Sequence, residues 1–416
     1  MPAFKYQLSN RLGPFDVEDY RKLARRRIPA MVWSYVDYGA EDLVTMGANR
    51  SAFERYAFRR RILTGKEATD LSVEVAGQRL ELPILLSPLG SVGLSHWTGE
   101  RGVAQAAERA GTLSIVSTAS TYSFEEVAEA TQRDHFFQLY PWADFQAGTH
   151  DITLGMMRRA QRAGYRALFL TVDVASPGNR EVEKRYGMGH PPVLTPAGGF
   201  NALCKPRWCY NFLRHRRMSL RNLVDESGAR AAVDSVGKQL GMMRAELNWN
   251  DFEWVRENWS GPMFVKGVVD ADDAERAVDL GADGIVVSNH GGRQLDGDVA
   301  ALDALPAIAA RVGDRAEVLL EGGVRRGADV VKALCLGAKA VCVGRPYVYG
   351  LGARGPAGVE DVVGILRAET ARVMTLMGVG SLAELDPSRL VPAGTPLTSC
   401  IHDSYHSTDS AEEAIS

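Results

Sequence analysis

The segment "VVSNHGGRQLDG", residues 286–297, places an imidazole (His290) and a guanidinium (Arg293) on either side of a double glycine, directly after an apolar run. An imidazole with an ordinary pKa near 6.5 accepts a proton at neutral pH. A guanidinium presents a planar fork that matches a carboxylate. Side by side, the two could handle a proton and an anion. Other apolar runs also close on polar or reactive types. These are Ser117, Gln138 with Tyr140, Thr171 with Asp173, Lys266, Ser288, Gly322 and Gly323 with Arg325, and Gly344 with Arg345. Any one of them is explained as a turn former, a helix cap or a half-buried aromatic. As a set at successive strand ends, they argue for one shared site.

The elements that must position these residues are eight short β-branched or Leu-rich runs. They lie at 83–88, 113–118, 136–140, 167–173, 262–267, 284–289, 317–323 and 340–345. Ala-rich segments with helical spacing and a terminal glycine separate most of them. Strands that are apolar throughout and alternate with helices form a parallel sheet buried on both faces. Eight such strands predict an α/β fold closed into a (β/α)8 TIM barrel, with chemistry at the ends where strands run into helices. An open doubly wound sheet would need a phosphate fingerprint after an early strand. The one GxGxxG match, "GLGARG" at 350–355, comes late and reads as helix packing or a turn. Residues 1–82 read as an N-terminal helical cap punctuated by Pro29, 83–385 as the barrel, and 386–416 as a tail, polar and mobile from about 395. A long insertion follows strand four. Residues 187–224 contain no acid, while Lys205, Arg207, Arg214, Arg216, Arg217 and Arg221 accompany Phe200, Leu203, Trp208, Tyr210, Phe212 and Leu213.

The bulk composition narrows the partners. A formal net charge of −3 over 416 residues offers no polycation, so no nucleic-acid partner is expected. The five cysteines (Cys204, Cys209, Cys335, Cys342, Cys400) form no CxxC pair; Cys335 and Cys342 fall in apolar core segments, which favours a reducing cytoplasm, and no metal site is expected. The opening "MPAFKYQLSN" lacks a signal pattern, and no apolar run of 18 residues occurs. A membrane-spanning helix is thereby excluded, whereas peripheral attachment on the cytoplasmic membrane face stays open.

The motifs "YVDYGAED", "FFQLYPW", "LTVD", "SNHGGRQLDG" and "GGVRRG" resemble the FMN-dependent L-2-hydroxy acid oxidase and dehydrogenase family, from about residue 15 to 385. The resemblance implies oxidation of an L-2-hydroxy acid, lactate- or mandelate-like, to the 2-keto acid. It makes His290 the base, oriented by Asp173, and places Tyr140 on the substrate oxygen. Arg293, Arg180 of "PGNREVEKR" and Tyr35 hold the carboxylate. Two chemistries fit: His290 takes the hydroxyl proton while hydride leaves Cα, which is favoured, or it takes the Cα proton to give a carbanion. For FMN, the resemblance gives the phosphate to Gly322, Gly323, Arg325, Gly344 and Arg345, and sets Lys266 beside the ring. Ser117, Gln138, Thr171 and Ser288 supply polar groups, and Leu89 and Gly90 supply backbone contacts.

One departure from the family pattern and one weaker marker, set against glycolate oxidases, stand out. Glu321 occupies the usual aspartate position, and the small Ala119 leaves room for a bulky substrate. The mandelate and respiratory lactate branch carries an insertion implicated in membrane attachment where this chain has residues 187–224. An anchor on an anionic membrane, with quinone as electron acceptor, is one reading of that segment. An active-site lid is the other. An O2-using oxidase that produces H2O2, and a non-catalytic flavin- or phosphate-binding barrel, are the functional alternatives. The family also implies a homotetramer.

Overall fold

In the computed structural model, the eight apolar runs become eight parallel strands: β1 (Ile84–Leu86), β2 (Ile115–Ser117), β3 (His135–Leu139), β4 (Tyr165–Thr171), β5 (Met263–Val268), β6 (Gly284–Val287), β7 (Glu317–Glu321) and β8 (Ala340–Val343). The structure describes residues 13–67, 70–141, 148–189, 192–217, 219–222 and 247–394. The hydrogen-bonded order is β1-β8-β7-β6-β5-β4-β3-β2, and a parallel bridge between Leu86 and Ser114 closes the ring. Every residue of β1, β2, β3, β6 and β8 is buried. Helices cover the outer face and side chains fill the inner one, so neither face can be polar.

The barrel interior is filled by Leu85, Ile115, Phe136, Phe169, Phe264, Val286, Leu319 and Cys342. Phe169 and Phe264 stack with ring centroids 4.7 Å apart. An added Cβ on Gly284 would collide with the Phe264 ring, so the ring occupies space that only glycine leaves. Burying a large side chain of this kind contributes roughly 1.5–3 kcal/mol.

The segment before the barrel is not purely helical, contrary to expectation. Helices Val17–Arg27, Ala30–Asp37 and Val44–Ser51 are present, but Val73–Val75 and Gln78–Leu80 form an antiparallel hairpin. Val75 and Leu80 of that hairpin join the interior cluster. The expected tail also begins later than residue 386. Leu390–Pro392 pairs antiparallel with Tyr56–Phe58, which satisfies backbone groups of both strands. The opening decapeptide, Cys400 and the tail beyond 394 lie outside the described residues, as do 190, 191, 218, 223 and 224 of the insertion. The "GLGARG" stretch spans the junction of helices Arg345–Arg354 and Pro356–Met377. Gly350 meets the Gly358 carbonyl there, as helix packing requires.

The insertion folds into helices Pro196–Leu203 and Pro206–His215, each with proline at its start. One side is fastened to the barrel: Trp208 Nε1 donates to the Leu94 carbonyl at 2.8 Å, and His215 stacks on Trp97 at 4.0 Å. The other side leaves Phe200, Leu203, Tyr210 and Leu213 between 60% and 73% exposed. No helix among the described residues is long and apolar enough to cross a membrane.

Candidate active site

The loop after β6 carries His290. His290 adopts φ +59, and Gly291 and Gly292 follow at +67 and +72, so three successive residues take the left-handed conformation. For a residue with a Cβ this costs roughly 1–2 kcal/mol, and it persists only where surrounding bonds determine it. Here the His290 N–H donates to Ser288 Oγ at 3.0 Å, and the Ala40 N–H donates to the Gly292 carbonyl at 2.9 Å. Asn289 and Asn49 bond each other through both amides, at 2.8 and 3.0 Å, which ties the loop to the preceding helical segment.

The imidazole is held at both ends. Nδ1 lies 2.9 Å from Asp173 Oδ1, and Nε2 lies 3.4 Å from Tyr140 Oη. The carboxylate partner assigns the ring proton to Nδ1, which leaves Nε2 free to accept. Burial pushes the His290 pKa below its ordinary value, with help from Lys266 and Arg180 and against the opposing pull of Asp173. Burial favours a neutral Asp173 carboxyl, but the adjacent His290 outweighs it and keeps the group below the usual carboxylate range. At neutral pH the pair is therefore a carboxylate behind an uncharged imidazole. Burial raises the phenols of Tyr140 and Tyr35, so both remain hydrogen-bond donors.

Opposite His290, the guanidiniums of Arg180 and Arg293 come together. Arg293 donates to the carbonyls of Tyr35 (2.7 Å) and Tyr38 (2.9 Å) and to Glu183 Oε1 (3.0 Å). Arg180 donates to the Arg293 carbonyl and to Gln294 Oε1, both at 3.2 Å. Buried Arg293 and half-buried Arg180 thus share one carboxylate, Glu183, leaving a positive charge in a cavity lined also by Tyr35, Ala119, Tyr140 and His290. Sequence reading missed Glu183 and Gln294. Glu183 stands three residues after Arg180, an ordinary helical ion-pair spacing that pointed no further. Gly267 was missed as well: at φ +102, a Cβ there would sit 2.5 Å from Asp173 Cγ. Its lack of a side chain is what lets Asp173 stand behind the His290 imidazole.

A second cavity shares Tyr35, Leu89, Gly90, His290 and Arg293 with the first and continues to Lys266, Glu321, Gly322, Gly323, Arg325, Gly344 and Arg345. At its inner end Lys266 pairs with Glu321, which also accepts from Ser288 Oγ at 2.7 Å. Burial opposes both charges, but their attraction wins, so Lys266 lies above and Glu321 below its ordinary pKa. Thr171, in register with Lys266, ends a polar row in which Ser117 Oγ donates to Gln138 Oε1 (2.7 Å) and Gln138 Nε2 donates to Thr171 Oγ1 (2.9 Å).

At the outer end Arg345 donates to the carbonyls of Gly291 (2.9 Å) and Tyr38 (3.0 Å), while its Nε is buried without a partner. Burial lowers this guanidinium to about 10, and no carboxylate among the described residues bonds it. A buried cation with an unused donor, beside Gly344 at the start of a helix, fits a phosphate. The polar row and Lys266 fit the rim of a flavin ring. The residues present therefore suit FMN: the predicted Tyr35, Leu89, Gly90, Ala119, Tyr140, Arg180, Lys266, His290, Arg293, Glu321, Gly322, Gly323, Arg325, Gly344 and Arg345 line the joined cavities, Ser288 bonds Glu321, and Ser117, Gln138 and Thr171 line neither cavity.

Comparison with known proteins agrees. The FMN-dependent dehydrogenase family matches residues 24–392. An L-lactate oxidase of Nostoc sp. is 40% identical over 382 residues, covering 91% of this chain and 98% of that protein. The (S)-mandelate dehydrogenase of Pseudomonas putida is 37% identical over 384 residues, covering 92% of this chain and 95% of its own. A crystal structure described as the monotopic membrane protein (S)-mandelate dehydrogenase superposes with a TM-score of 0.85 at 37% identity, over 92% of this chain and 100% of the other. The chain, whose cofactor is FMN, belongs to the FMN-dependent dehydrogenase family.

Proposed function

We propose that this chain oxidises an L-2-hydroxy acid of lactate or mandelate type to the 2-keto acid. The observation that carries the reading is the uncharged His290 imidazole, backed by Asp173, facing a cavity with one unneutralised guanidinium charge. FMN, when bound, supplies the two-electron acceptor. Arg180, Arg293 and the Tyr35 hydroxyl clamp the substrate carboxylate, which fixes the hydroxyl against His290 and excludes the enantiomer whose hydroxyl points away. His290 Nε2 takes the hydroxyl proton, Tyr140 Oη donates to the same oxygen, and Asp173 stabilises the imidazolium that results. Lys266 would offer its positive charge to the bound cofactor and favour its reduced, anionic form. Ala119 leaves the far wall short, which admits a substrate bulkier than glycolate.

The exposed Phe200, Leu203, Tyr210 and Leu213 among basic side chains support peripheral seating of residues 187–224 on a membrane, with quinone as acceptor. The division into a cap over 1–82, a barrel and a tail, and a tetrameric assembly, are parts of the same reading.

Anaerobic addition of L-lactate or (S)-mandelate to the yellow holoenzyme is expected to bleach the flavin band. A spectrum unchanged by any L-2-hydroxy acid would refute the reading. Stoichiometric H2O2 in air, with no reduction of a quinone analogue, would transfer the acceptor to O2.

A further inference from the structure

Away from the catalytic cavities, a cavity of about 280 Å3 opens between the end of helix Val17–Arg27, the loop after β1 and helix Pro206–His215 of the insertion. Its lining carries Arg26, Arg27, Lys205, Arg207, Arg217 and Arg354, and no carboxylate. Two of these charges are answered outside the cavity, Arg217 by Glu126 at 3.0 Å and Arg354 by Asp361 at 2.5 Å. Arg27 and Lys205 bond only backbone carbonyls, those of Ala353 and Arg26. Neither Arg26 nor Arg207 pairs with any described residue. Burial and the neighbouring charges of Arg207 and Arg354 lower the Arg27 guanidinium, and burial with Arg207 and His215 lowers His96 to about 4. Like charges gathered around a concavity without a counter-charge repel one another unless an anion enters.

The rest of the wall is aromatic. Trp208 is fixed by its bond to Leu94 and stacks on Phe212 at 4.5 Å, and Trp97 stacks on His215. Beyond these rings, the same insertion turns Phe200, Leu203 and Leu213 toward solvent. A ligand matched to this surface is anionic at one end and apolar at the other.

We infer that the cavity takes the phosphate of an anionic phospholipid, whose acyl chains lie along the exposed face of the insertion. The inference rests on the membrane-seating reading and adds to it a specific headgroup site. Ser95 lines both this cavity and the flavin cavity, so a seated lipid would lie one side chain from the cofactor site.

The test uses full-length, flavin-loaded protein titrated calorimetrically with dihexanoyl phosphatidylglycerol below its micelle concentration. Dihexanoyl phosphatidylcholine and glycerol 3-phosphate serve as comparisons. Saturable binding of phosphatidylglycerol is expected, with both comparisons at least about tenfold weaker. The Arg27→Gln/Arg207→Gln variant should lose about thirtyfold in affinity, at about 1 kcal/mol for each cation. Should the double variant fold poorly, Arg207→Gln alone removes an exposed side chain with no described partner, and about a fivefold loss is expected. Absence of saturable binding, unchanged affinity in both variants, or glycerol 3-phosphate binding as tightly as the lipid would each overturn the assignment. Sedimentation with phosphatidylcholine vesicles containing phosphatidylglycerol tests the seating separately. Wild type that binds the short-chain lipid yet stays in solution would refute seating and keep the site. Sedimentation without short-chain binding would refute the site and keep the seating.

Discussion

Replacing Asp173 by asparagine keeps the side chain's shape and removes the charge behind the base. The two atoms are 2.9 Å apart in a buried setting. At an effective dielectric of about 20, Coulomb's law gives about 6 kcal/mol between full charges at that separation. The imidazolium charge is spread over its ring, so the usable part is smaller. The 10²–10⁴-fold typical of general base catalysis corresponds to roughly 3–5.5 kcal/mol, within that ceiling. The variant should therefore bind FMN normally and turn over about 10²–10⁴ times more slowly, measured as flavin bleaching by stopped flow. The pH dependence supplies a second readout. The base must be uncharged, so activity falls as pH drops through the His290 pKa, which burial already places below its ordinary value. Asp173 raises that pKa, so its removal should shift the acid limb to still lower pH. A variant within threefold of wild type, or a limb moving to higher pH, would show that Asp173 does not act through His290.

Three further outcomes follow from the same geometry. Gly267→Ala brings a Cβ to 2.5 Å from Asp173 Cγ, and should cut turnover by about 10²-fold with FMN retained, checked by steady-state kinetics and the visible spectrum. Arg345→Met removes the cation with the unused Nε, and should weaken FMN binding by about 10–150-fold, read by fluorescence titration of apoprotein. Glu321→Gln strands the Lys266 ammonium and should lower unfolding free energy by about 3–5 kcal/mol in urea at neutral pH. Because the Glu321 pKa is depressed, its contribution is complete above the ordinary Glu value of about 4.3 and is lost as pH falls through the folded value, so the wild-type advantage should vanish in acid.

The barrel strands were legible because parallel strands covered on both sides are apolar throughout, and most ended on a polar or reactive residue. The hairpin at 73–80 was not, because "VEVAGQRL" lacks a strong turn signal; Ala76 and Gly77 take φ +50 and +72 without the usual Asn-Gly pair. Glu183, Gly267 and Asn49 gain their parts from partners distant in the chain. Asn49 meets Asn289 across 240 positions, a pairing that no local spacing announces. The strand at Leu390–Pro392 was hidden for the same reason, since its partner lies more than 300 residues earlier.

Arg345 faces two ways. The side chain poised for an anion also grips the carbonyl of Gly291, the residue following His290, and that of Tyr38 in the segment preceding the barrel. One side chain thus braces the His290 loop and carries the charge offered to an anion. A lesion at this position should accordingly present as two defects with a single origin, a weaker anion site and a loosened loop at Gly291.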